Sequence, residues 1–181
     1  IALAKAKPGS LNYGSGGTGS GAHFAAEVFK HAAGIDAVHV PYRGIPEGLT
    51  DLISGRTQFF LSPLASAQAL VREGRLRALA VTATKRVAAY AEVPTLAEST
   101  LPGFEWNSWS GLIAPAKTPR PIIDRLNREI TRVLKEPDVQ QRLLAMGAEA
   151  APGTPQAFDQ LIAEQVALTL KIAKQAGIKP E

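Results

Sequence analysis

Apolar positions along this chain follow two patterns in turn: helical spacing in some stretches, short unbroken runs in others. Phe24, Ala25, Val28, Phe29 and Ala32 share one face of a helix predicted over residues 18–33 and stopped by Gly34. Leu49, Leu52 and Ile53 mark a second helix over 46–54, ended by Gly55, and residues 66–73 form a third, closed by Gly74. The runs between them, bounded by turn residues, predict strands at 11–13, 37–40, 57–61 and 76–82. Strands alternating with helices over short connections imply an α/β fold with a mostly parallel sheet.

The rhythm changes after residue 84. Residues 84–111 are irregular, with turn signals at Pro94, Pro102 and Gly103, and with Trp106 and Trp109 either packing or lining a cleft. Residues 110–114 read as a strand ended by Pro115. Beyond it the pattern is helical: 119–135 (Ile122, Ile123, Leu126, Ile130 and Val133 inward), 137–146, and 155–176 with Phe158, Leu161, Ile162 and Val166. Thr118 and Thr154 each stand before a proline as helix caps. Residues 1–7 read as the last two turns of a helix, halted by Pro8-Gly9, so the chain is expected to be part of something longer.

Composition narrows the chemistry. The 181 residues carry a formal charge of +4, but Lys and Arg are scattered among Leu and Ile rather than gathered with exposed aromatics, which argues against nucleic acid. With no cysteine, disulfides, thiol nucleophiles and thiolate metal sites are excluded. His23, His31 and His39 fall on a helix start, a helix end and a strand, without the spacing of a metal site. No carboxylate pairs with a histidine or a second carboxylate at useful spacing, so neither catalysis nor a cofactor is expected.

The densest signal is the run Gly14-Ser15-Gly16-Gly17-Thr18-Gly19-Ser20-Gly21, between a strand and a helix. Glycines let the backbone approach a ligand closely, and the helix start leaves unpaired N–H groups facing it, which makes an anion site. Gly14-x-Gly16-x-x-Gly19 matches a dinucleotide fingerprint, yet the next strand ends at Val40-Pro41-Tyr42-Arg43 without the ribose-binding acid. A nicotinamide-nucleotide enzyme is therefore the alternative reading rather than the leading one. Phosphate-loop lysine and Gly-x-Ser-x-Gly nucleophile are both missing. What remains is a neutral nest of N–H groups with the hydroxyls of Ser15, Thr18 and Ser20, better suited to a carboxylate than to a triphosphate. His23, in the first helical turn, either faces the anion or makes a structural hydrogen bond to a neighbouring loop. Tyr42 and Arg43 leave one strand's C-terminal end and Ser62 another's, the edge where open α/β sheets bind ligands; Arg43 is a candidate carboxylate partner.

The run from Lys7 to Phe24 closely resembles the second-domain signature of tripartite tricarboxylate transporter receptors, the Bug family of periplasmic solute-binding proteins. Val38-His39-Val40-Pro41-Tyr42-Arg43-Gly44, Leu76 to Thr82, Val93-Pro94-Thr95-Leu96-Ala97-Glu98, Ser108-Trp109-Ser110-Gly111-Leu112 and Thr118-Pro119 extend the resemblance along the chain. It implies a type II periplasmic-binding-protein fold of two α/β lobes, with a small organic carboxylate (a di- or tricarboxylate, amino acid or aromatic acid) captured between them and delivered to a membrane permease. Residues 1–107 would be the ligand-clamping lobe, and 108–181 the return crossing and C-terminal helices that complete the other. The resemblance places Ser15, Gly16, Gly17, Thr18, Gly19, Ser20 and His23 in one half of the pincer. It further implies an N-terminal portion beyond this chain, or self-association in its place. Gly17 adds a glycine to the family loop, and Ser62-Pro63 stands where many relatives carry Asp or Asn.

Overall fold

A three-stranded parallel sheet, ordered β2-β1-β3, organises the first part of the chain. The computed structural model describes residues 1–178. By internal contacts they divide into one unit of residues 1–108 with the chain from 171 onward, and another of residues 109–170.

In the first unit a short helix α1 (Ala2–Ala6) precedes β1 (Asn12–Ser15), α2 (Gly21–Ala33), β2 (Val38–Pro41), α3 (Ile45–Ile53), β3 (Phe59–Phe60) and α4 (Leu64–Arg72). Tyr13 pairs with His39 on one side and Phe59 on the other, so β1 is the central strand. Tyr13, Ala26 and Ala37 are buried together, with Leu11, Phe59 and Leu61 packed against them. Sequential strands lie on opposite sides of β1, which makes the C-terminal end of β1 a switch point where open α/β sheets bind ligands. Close packing of α3 on the sheet depends on Gly48, where a Cβ would stand 2.5 Å from the Phe60 ring and 3.0 Å from the Tyr42 ring.

Several boundaries depart from the sequence reading. β1 runs on through Gly14 and Ser15, because Ser15 C=O accepts the Tyr42 N–H at 3.2 Å. α2 starts at Gly21 rather than at residue 18, since Gly17 and Gly19 hold φ of 119° and 76°, which no helix accommodates. Residues 76–82 do not form a strand. Among the described residues the segment makes a single parallel bridge, Val81 to Thr95, with Thr82 C=O accepting the Trp106 N–H at 3.0 Å, and Leu79 is 69% exposed. The segment expected to be irregular contains a 3₁₀ turn, Ala88–Tyr90, and α5 (Leu96–Ser99), started by a reciprocal Thr95–Glu98 capping box.

In the second unit lie α6 (Arg120–Leu134), α7 (Pro137–Ala145) and the greater part of α8 (Pro155–Ala176). Residues 110–114 are not a strand: Leu112 and Ile113 are 73% and 85% exposed, with no ladder to join. Thr154 caps α8 as expected, accepting the Ala157 N–H at 3.1 Å, whereas α6 begins after Pro119 without a side-chain cap from Thr118. Among the described residues no helix is long and apolar enough to cross a membrane.

Candidate functional site

The glycine loop leaves the C-terminal end of the central strand and enters α2 through Ser20, whose hydroxyl accepts the His23 N–H at 3.3 Å. Its N–H groups sort into two sets. Gly17 N–H donates to Ser15 Oγ at 3.2 Å and Gly19 N–H to His23 Nδ1 at 3.1 Å, so both are tied inward. Among the described residues, the amides of Gly16, Thr18, Gly21 and Ala22 have no partner in the protein. They sit in the loop and first turn of a helix with no acidic residue at its start, where the helix dipole favours an anion. A Ser20 N–H to Gly17 C=O bond of 3.1 Å closes the turn between the two sets.

Beneath the loop lies a layer of stacked rings. His23 and His39 stack with centroids 3.8 Å apart and 8° between planes, and Tyr13 lies beside both, 4.9 Å from His39 and 6.3 Å from His23. His39 Nε2 is 2.6 Å from Ser15 Oγ. The Tyr13 hydroxyl donates to Glu27 Oε1 at 2.5 Å, Lys30 Nζ donates to the same oxygen at 2.8 Å, and Lys30 also stands over the Tyr13 ring at 5.2 Å. Burial pushes His39 down to about 4, helped by repulsion from His23 and Lys30 and opposed by Glu27. Burial also lowers His23, and its Nδ1, accepting from Gly19, fixes the proton of the neutral ring on Nε2. Burial alone would raise Glu27, but the hydrogen bonds from Lys30 and Tyr13 outweigh it and keep the carboxylate ionised. The Tyr13 hydroxyl is pushed up by burial and by Glu27. At neutral pH the layer therefore holds two uncharged imidazoles beside one compensated ion pair.

The structure brings Ser15 through Ser20 and His23 into one cluster, with Ser15 and His23 buried and their polar atoms engaged within it. Thr18 and Gly19 form its exposed tip. The end of β2 abuts the loop: a Cβ on Gly17 would meet Tyr42 C=O at 3.2 Å. The Tyr42 hydroxyl, however, is pinned to Asp51 Oδ2 at 3.0 Å, which with burial raises its pKa. Arg43 is exposed, its N–H donating to Glu47 Oε2 at 3.1 Å. Ser62 lies past β3 on the same edge of the sheet, its hydroxyl donating to Pro63 C=O at 3.1 Å.

Sequence reasoning missed two contributors. The amide of Ile45, at the start of α3, lies 3.6 Å from the Cβ position of Gly16 and has no protein partner among the described residues. A glycine N-cap, Gly44, was the only sign that this helix end borders the loop. His39 was read as one of three dispersed histidines, although its place opposite Tyr13 in the register sets its ring beside Ser15. Among the described residues, no group of three potential metal ligands occurs.

The tripartite tricarboxylate transporter family receptor profile matches residues 1–178. The chain superposes on an R. palustris protein, Rpa4515, solved with adipate, with a TM-score of 0.92 and 35% identity, over 99% of this chain and 60% of that one. It matches MatC (Rpa3494) from Rhodopseudomonas palustris, solved with bound malate, at 0.84 and 29%, over 94% and 59%. The periplasmic binding protein BugD gives 0.85 and 27%, over 99% and 61%. This chain spans about half the length of most curated relatives it matches. One is the UPF0065 protein of the tcbD-tcbE intergenic region in Pseudomonas sp. (strain P51), 37% identical over 162 residues, which take in 89% of this chain and 48% of that protein.

Proposed function

Since the chain belongs to the tripartite tricarboxylate transporter receptor family, with the α/β fold of its periplasmic solute-binding proteins, we propose that it captures a small organic acid by one carboxylate. The carboxylate sits on the free amides of Gly16, Thr18, Gly21 and Ala22. Arg43 and Ser62 stand at the rim, and Ser15, Gly17, Gly19, Ser20, His23 and Tyr42 shape the loop. The observation that carries the reading is the sorting of the amides, two tied inward and four left open at a helix start that carries no acid of its own. Such an array is electropositive without a formal cation, which fits a carboxylate and needs no metal.

Relatives solved with adipate and with malate support a dicarboxylate as the ligand class. Residues 1–107 serve as the clamping lobe and residues 108–181 as the crossing and helices of the other. Closure between lobes shifts the receptor towards a bound state that a membrane permease accepts in the periplasm, with no chemical step. Titration with adipate, malate and a nicotinamide nucleotide, followed by amide resonances and calorimetry, tests this. The acids should move the Gly16, Thr18, Gly21 and Ala22 amides while the nucleotide moves none. Movement by the nucleotide and by neither acid would refute it.

A further inference from the structure

His39 lies beneath the loop on β2, and carboxylate capture as described uses none of its atoms. Its Nε2 is 2.6 Å from Ser15 Oγ, the group that accepts the Gly17 N–H at 3.2 Å and stands 3.1 Å from the Gly17 C=O. Its ring stacks at 3.8 Å on His23, the acceptor of the Gly19 N–H. Both inward amides therefore rest, at one remove, on the same imidazole. The Tyr13 ring, which Glu27 pins through the hydroxyl, lies beside it at 4.9 Å. A loop with this much glycine has wide backbone freedom, and an anion site built from it binds well only if the donors are held in place beforehand.

We propose that His39 is a positioning residue of the loop: stacked on His23 and held at its Nε2 by Ser15, it sets both so that the Gly16 and Thr18 amides face an incoming carboxylate as a fixed pair. The inference rests on the carboxylate reading above. An imidazole that only filled the core would be replaceable by any ring of its size. A positioning imidazole needs its Nε2, which the glutamine amide nitrogen can mimic in reach. The titratable groups facing it are Tyr13 from β1 and His23, Glu27 and Lys30 from α2.

The test compares wild type, His39→Phe, His39→Gln, Ser15→Ala and the double variant Ser15→Ala/His39→Phe, with adipate as probe and the Gly17 and Gly19 amide resonances as a ligand-free readout. His39→Phe should weaken adipate about three- to tenfold, the effect of losing one hydrogen bond, and shift both amides. His39→Gln should restore most of the affinity. The double variant should bind about as weakly as Ser15→Ala alone, because both changes cut the same connection. Full affinity in His39→Phe, or losses that multiply in the double variant, would overturn the proposal. Should His39→Phe not fold, the wild type decides: the Gly17 and Gly19 amides should shift together as His39 protonates around pH 4, and amides that stay fixed through that range refute it. Failure of the carboxylate reading is distinct, since adipate would then leave the wild-type Gly16 and Thr18 amides unmoved.

Discussion

Acid should loosen this fold before its carboxylates begin to titrate, and His39 should be the main cause. In the unfolded chain a histidine protonates near 6.5, whereas in the folded protein burial against His23 and beside Tyr13 holds His39 at about 4. Its folded pKa lies below its unfolded one, so the unfolded state binds the extra proton and stability falls as pH drops from 6.5 towards 4. Linkage between those values gives an upper limit of about 2 kcal/mol lost from pH 7 to pH 5. His39 is only half-buried, and screening by water reduces that to about 1 kcal/mol. His23, lowered by the same burial, adds loss in the same direction. Glu27, held ionised by Lys30 and Tyr13, contributes only lower, as pH passes through the carboxylate range. Urea titration at pH 7 and pH 5 measures the effect: about 1 kcal/mol moves the midpoint by roughly 0.5 M at an ordinary denaturant slope. His39→Gln, which cannot protonate, should lose much less over the same interval. A wild-type midpoint equal at both pH values, or an identical drop in His39→Gln, would refute the reasoning.

Gly48→Ala should destabilise the protein by about 1–3 kcal/mol in thermal unfolding, because its Cβ would stand 2.5 Å from the Phe60 ring and 3.0 Å from the Tyr42 ring; an unchanged midpoint would mean that α3 packs less closely. Gly19→Ala should cost roughly 1–2 kcal/mol from its left-handed φ of 76° alone, since nothing lies within 4 Å of the new Cβ, while Gly17→Ala also meets Tyr42 C=O at 3.2 Å. Both should weaken adipate in calorimetry, Gly17→Ala the more, and the reverse order would count against the loop geometry. Arg43→Ala should slow adipate association at low salt and converge on wild type as salt rises; a loss independent of salt would instead indicate direct contact.

Sequence made the α/β rhythm and the loop legible because both are local. Helical faces such as Phe24, Ala25, Val28 and Phe29 announce themselves by spacing, and glycines cluster only where backbone must turn or approach. Strand identity was less legible, because a strand exists only where a neighbour accepts its hydrogen bonds. Residues 76–82 and 57–61 have similar apolar patterns. The second pairs Phe59 and Phe60 with Tyr13 and Gly14, while the first makes one isolated bridge, Val81 to Thr95. The buried layer was illegible for the same reason. Nothing in a sequence sets His39 against His23; the parallel register of β1 and β2 does so by placing His39 opposite Tyr13.

A binding loop made of backbone separates two tasks that side-chain sites combine. On the proposed reading, the amides of Gly16 and Thr18 would hold any carboxylate and carry no information about the rest of the acid, so discrimination would fall to the rim, where Arg43 and Ser62 stand. Order in the loop falls to the layer below, where Ser15 and His23 accept from the Gly17 and Gly19 amides and hold them inward. The absence of lysine from the loop then follows physically. A strong point charge would attract phosphate as well as carboxylate and would repel the imidazole pair were it to protonate. A neutral donor array avoids both effects, and its affinity depends on how little the donors must be rearranged when the anion arrives.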